Sequence, residues 1–119
     1  MNTVTSLLHN YILIKARGVH NVEISKQSLN YALSLCNPSV FKIVIDLSDV
    51  QGRISNIDRF DFISFAAEKT AQLEQKLNIK VEIIFLLQST EVPKDGTSQH
   101  FAKLLNLNIR TVTSLDETF

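Results

Sequence analysis

In "DLSDVQGRISNIDRF", residues 46 to 60, two carboxylates (Asp46 and Asp49), Arg53 and Ser55 fall within ten residues. Acids three apart at the end of an apolar run serve either to cap the following turn or to hold a cation. A serine that opens a helix serves as an N-cap or as an acceptor of phosphate, and a neighbouring arginine suits an anion. The first member of each pair is what any strand-to-helix connection requires, and the second would make the loop a site. Two further segments carry chemistry-bearing side chains. Residues 18 to 25 hold His20, and residues 88 to 97 hold Ser89, Thr90, Glu91, Lys94 and Asp95.

The common catalytic signatures are missing from the sequence. It has no G-x-S-x-G elbow, P-loop, G-x-G-x-x-G, C-x-x-C or H-E-x-x-H. His9, His20 and His100 are isolated, without a partner at metal-ligand spacing. Cys36 is the single cysteine and cannot form an internal disulfide; flanked by Leu33 and Leu35, it reads as a small buried hydrophobe. No cofactor is expected, and a non-enzyme is the favoured reading over an enzyme. Twelve basic residues balance twelve acidic ones, and no Lys/Arg cluster alternates with aromatics, which argues against nucleic acid as a partner. The N-terminal apolar run lacks a basic lead and is broken by His9 and Asn10, so neither a signal peptide nor integral membrane association is expected, and the cytoplasm is the expected location.

The elements that must position these residues follow from periodicity. At 119 residues, 45% apolar and 20% charged, the chain suits one globular domain spanning 1–119. Residues 3 to 7 predict a short strand, turned by His9-Asn10 into "YILIKARG", which Gly18 closes. "ISKQSLNYALSLCNP" predicts a helix with Ser25 as N-cap and Pro38 as its stop. "FKIVIDL" and "KVEIIFLL" read as strands buried on both faces. Between them Ser55-Asn56-Ile57-Asp58 forms a capping-box-like start to a helix. Its apolar stripe is expected to run through Ile57, Phe60, Ile63 or Ser64, Ala67, Ala71 and Leu77, with Phe62 and Phe65 as surplus apolar surface for a neighbouring helix or a second subunit. Thr97 or Asp95 is expected to cap a shorter helix carrying Phe101, Ala102, Leu104 and Leu105. "IRTVTSL" predicts the last strand, and Ser114 to Glu117 a further capping box.

The alternation predicts an α/β fold: a mixed, mostly parallel sheet of four to five strands flanked by helices, with right-handed crossovers and an N-terminal hairpin on one edge. In such sheets ligands sit beyond the carboxyl ends of the strands, where the three polar segments would converge.

The order "FKIVIDLSDV", short loop, serine, amphipathic helix, "KVEIIFLL", helix, "IRTVTSLDE" resembles the STAS superfamily of anti-sigma-factor antagonists, especially its SpoIIAA-like branch. Signalling members end this strand in an Asp/Asn-led run closing on Asp-Ser. Aligning on Asp46 and Val50 places Ser55 at their phosphorylated serine, with Ile54 where they have Asp and Gly52-Arg53 in place of an apolar pair. The resemblance implies a regulatory module acting through a protein partner, with a homodimer expected and Ser55 as candidate phosphosite. Asp46, Asp49, Arg53, Phe62, Phe65 and Lys94 are the candidate ligand or partner surface. As an alternative, SEC14-like relatives imply a small apolar or lipid-like ligand at the carboxyl ends of the strands.

Overall fold

The computed structural model describes residues 1–52, 54–87 and 108–114. Its elements run β1 (Asn2–Leu7), β2 (Ile12–Val19), α1 (Val22–Leu35), β3 (Lys42–Gln51), α2 (Asn56–Leu77), β4 (Glu82–Leu86) and β5 (Ile109–Val112). The five strands form one sheet in chain order, β1-β2-β3-β4-β5. β1 pairs antiparallel with β2, and every later pair is parallel. This is the expected α/β architecture, hairpin edge included.

Alternation along the strands sorts the apolar residues onto two faces. Ile12, Ile14 and Ala16 of β2, Ile43, Ile45 and Leu47 of β3, and Ile83 of β4 join Leu29, Ala32, Leu33, Phe62, Ile63 and Ala66 of the helices in the main core. Val44, Ile84, Leu86 and Val112 form a second cluster on the other face, bordered by Tyr11 and Leu13. Val44 and Ile84 are completely buried, which is why β3 and β4 read as unbroken apolar runs.

Three boundaries differ from expectation. First, α1 starts a turn early. Asn21 is its N-cap, with Oδ1 accepting the Ile24 N–H at 3.1 Å, so Ser25 lies inside the helix. Asn and Ser are equally good caps, and periodicity alone could not choose between them. The helix then stops where expected: the Cys36 N–H donates to the Leu33 carbonyl, and Asn37 Oδ1 accepts the N–H groups of Ser39 and Val40 around Pro38. Cys36 is buried, and burial pushes its thiol up to about 11.

Second, β3 continues past Leu47 to Gln51, because a bulge absorbs its polar residues. The pairing steps from Lys15↔Asp46 to Arg17↔Asp49, two residues of β2 against three of β3. The inserted residue switches the alternation, so Leu47 and Val50 both face the main core.

Third, the buried stripe of α2 is rotated. Phe62, Ile63, Ala66 and Thr70 are buried, whereas Ile57 and Phe60 are 81% and 48% exposed. Both lie in the first five residues of α2, ahead of the buried Phe62 and Ile63. At the other end Asn78 adopts φ +54°, the left-handed conformation that terminates helices, and Glu74 Oε2 accepts the Val81 N–H at 2.8 Å to bring the chain into β4. The expected helix over Phe101 to Leu105 and the capping box after Ser114 lie outside the described residues.

Candidate functional site at the start of the second helix

Parallel strands bring the ends of β2 and β3 and the starts of α1 and α2 to one end of the sheet. Gly52 supplies the turn out of β3 with φ +86°, and a Cβ there would meet nothing within 4 Å, so backbone conformation rather than space favours glycine. Ser55 then caps α2. Its Oγ accepts the Asp58 N–H at 3.1 Å, and its carbonyl accepts the Arg59 N–H at 3.0 Å. The expected cap is therefore present, and its hydroxyl sits at an exposed residue. The exposed Ile57 and Phe60 lie within the first five residues of the same helix.

Asp58 closes a contact that the sequence did not reveal. Its Oδ2 lies 3.9 Å from Nδ1 of His20, whose side chain is only 9% exposed, and His20 Nε2 lies 3.4 Å from Ser25 Oγ. Burial lowers the His20 pKa against the opposing pull of Asp58, so the ring is neutral at neutral pH. The order Ser25–His20–Asp58 is that of a nucleophile, base and orienting acid. However, 3.9 Å is too long for the hydrogen bond that would fix the imidazole tautomer. The arrangement ties the start of α1 to the start of α2 instead. His20 and Asp58 are 38 positions apart, so no local spacing signals their meeting.

Lys26 continues the same seam. Its Nζ is 2.8 Å from Asp61 and 3.5 Å from Glu23, and the hydrogen bond it donates to Asp61 raises its pKa. The Lys26 and Lys69 ammonium groups also lie 5.7 and 5.8 Å from the Phe65 ring centroid. Phe65 is thereby used within the helix pair, one of the two roles expected for it.

The remaining candidates separate. Asp46 lies within β3 and not in the loop after it. Its Oδ1 accepts both Ser48 N–H (3.0 Å) and Ser48 Oγ–H (2.6 Å), a local turn-type contact at the bulge. Asp49 also lies in β3, exposed and 3.9 Å from Arg17 Nε. Phe62 is a correction: placed on an accessible ligand or partner surface by its sequence, it is 7% exposed and packs against Phe85 at a centroid distance of 5.9 Å. With Phe62 in the core and Phe65 between the helices, these two rings do not form the mouth of an apolar ligand site. Arg53 and Lys94 lie outside the described residues, as do Ser89, Thr90, Glu91, Asp95 and His100. Among the described residues no group of three or more His, Cys, Asp and Glu is arranged to hold a metal ion. No described helix is long and apolar enough to cross a membrane.

No protein-family model and no curated protein matches the chain. Among solved structures it is similar to an anti-sigma factor antagonist from Mycobacterium paratuberculosis, with a TM-score of 0.54 and 15% identity over 98% of this chain and 88% of that one. The chain therefore has the STAS-like, SpoIIAA-like α/β fold expected from the order of its elements.

Proposed function

We propose that this STAS-like domain is a regulatory protein-interaction module, and that the contact with its partner is made at the start of α2 and switched by phosphate on Ser55. The observation that carries the reading is the exposed Ser55 at the N-terminus of a 22-residue helix, with Ile57 81% exposed and Phe60 about half exposed beside it. Exposed apolar side chains of this size next to a polar rim are what a protein partner covers. The similarity to an anti-sigma factor antagonist supports a partner of the protein class. A second copy of the chain is a further partner in this reading, as is a location in the cytoplasm.

A phosphate on Ser55 would replace one accepting oxygen by three and place about two negative charges at the positive end of α2. The helix tolerates such a group, while Asp58 opposes it across one turn. The larger effect falls on the partner, which would have to desolvate a dianion beside Ile57 and Phe60 to bind. Phosphate there disfavours the complex without unfolding the domain.

The test begins with the intact mass of the protein isolated from its own cells, where a fraction should carry one added phosphate. Proteins captured by the unmodified domain should be retained by Ser55→Ala and lost by Ser55→Asp and Ile57→Asp. Absence of any phosphoform, together with equal capture by Ser55→Ala and Ser55→Asp, would refute the switch. Capture insensitive to Ile57→Asp would refute the surface.

A further inference from the structure

We infer that two copies of the chain join through the free edge of β1, antiparallel and centred on Thr5. This deepens the self-association reading above and rests on it, but it uses an edge of the sheet separate from the Ser55 surface.

The hydrogen bond that closes the first hairpin fixes which groups face outward. The Leu8 N–H donates to the Tyr11 carbonyl at 2.9 Å, making Leu8/Tyr11 a hydrogen-bonded pair. Bonded and non-bonded pairs alternate along an antiparallel ladder. The unbroken register from Leu7↔Ile12 to Asn2↔Arg17 therefore turns the N–H and C=O groups of Asn2, Val4 and Ser6 toward β2. Those of Thr3, Thr5 and Leu7 point to the open edge, and among the described residues they have no backbone partner.

A strand pairing with its own copy about Thr5 sets Thr3 opposite Leu7, Thr5 opposite Thr5, and Leu7 opposite Thr3. All three pairs are of the hydrogen-bonded kind, so every outward group on both strands finds a partner. Opposed residues share a face in this register, as a two-fold axis perpendicular to the sheet requires. The two sheets become one, with the helices of both copies on the same side.

Charge points to a second copy as the occupant. Residues 1 to 14 contain no Asp, Glu, Lys or Arg, so nothing on the strand repels its own image and nothing on it selects a charged partner. Natural edges are usually blunted by charge, proline or a bulge, and β1 has none of these. Instead Val4, Leu7 and Leu8 lie bare along it, 67%, 53% and 38% exposed. By contrast β5, at the opposite edge, carries Arg110 paired with Glu82 at 3.5 Å.

Light scattering of the eluting protein over a concentration series tests the inference, with Thr5→Pro as the variant. Among the described residues the Thr5 N–H serves no backbone bond, so proline removes a donor from the edge while leaving the ladder to β2 intact. The expected result is twice the 13.4 kDa chain mass for the parent protein, and the single chain mass for Thr5→Pro with unchanged circular dichroism. A parent protein that is monomeric throughout would overturn self-association altogether. A dimer that survives Thr5→Pro, or dissociates with Ile57→Asp instead, would overturn this edge alone. If Thr5→Pro fails to fold, amide exchange on the parent protein decides. The amides of Thr3, Thr5 and Leu7 should be protected in proportion to dimer, and fast exchange in a dimeric sample would overturn the pairing.

Discussion

Replacing Ser55 by alanine separates the part of this residue that holds the helix from the part that would answer a partner. Alanine removes the oxygen that accepts the Asp58 N–H. Loss of a serine cap costs about 0.5–2 kcal/mol. Here the cap lies in an exposed turn, so water can reach the freed N–H, and the lower part of that range applies, about 0.5–1 kcal/mol. For a domain of this size that corresponds to a fall in Tm of about 2–6 °C. Aspartate at the same position keeps an accepting oxygen and adds about 0.3–1 kcal/mol of favourable interaction with the helix dipole, offset by Asp58 one turn on. Ser55→Asp should therefore match the parent protein within about 0.5 kcal/mol. Urea unfolding of the three proteins, with constant m-values, measures the differences. A Ser55→Ala protein as stable as the parent would show that the hydroxyl does not cap α2. A Ser55→Asp protein as weak as Ser55→Ala would show that an accepting oxygen is not what the position requires. Because the alanine effect is small, any loss of partner binding by Ser55→Asp is an effect of charge and not of unfolding.

The other expectations concern the core and the part-buried His20. Phe62→Ala should cost about 3–5 kcal/mol by opening a cavity beside Phe85, whereas Phe60→Ala should change stability by no more than about 0.5 kcal/mol; the reverse order in urea unfolding would contradict the observed rotation of α2. Thr70 is 2% exposed, and its Oγ1 has no hydrogen-bond partner among the described residues, so Thr70→Val should raise stability by about 1 kcal/mol and Tm by several degrees. His20 has a lowered pKa in the folded protein, chiefly through burial, so the unfolded chain takes up its proton first as the pH falls. Its contribution is thus fully present above the unfolded value near 6.5 and is lost as the pH drops through that value toward the folded one. Unfolding of a His20→Gln protein across this interval should show a flatter pH dependence than the parent, and identical slopes would refute the linkage.

Much of the fold was legible because the signals are local. Alternating or continuous apolar runs marked β2, β3 and β4, Ser55 and Asp58 marked the start of α2, and the order of elements marked a parallel sheet with one hairpin edge. What escaped depended on how the elements sit against one another. Ser25 and Asn21 are both competent caps, and only the docking of α1 selected the earlier one. Asp46 and Asp49 looked like the end of a strand because acids seldom lie within one. The bulge that accommodates them exists only when β3 is paired with β2. The stripe through Ile57 and Phe60 has good helical spacing, yet both side chains stay exposed in the packed domain. Burial therefore falls on Phe62, Ile63, Ala66 and Thr70, one face around.

The sequence by itself determined the element types, the sheet class and the cap at Ser55, since each follows from spacing along the chain and from the hydrogen bonds of neighbouring residues. Only the tertiary structure decided that His20 meets Asp58, that Phe62 is core while Ile57 and Phe60 are exposed, and that the backbone groups of Thr3, Thr5 and Leu7 have no partner among the described residues. Those outcomes depend on which surfaces the packed elements cover, and burial is a property of the assembled layers that no single stretch of chain carries.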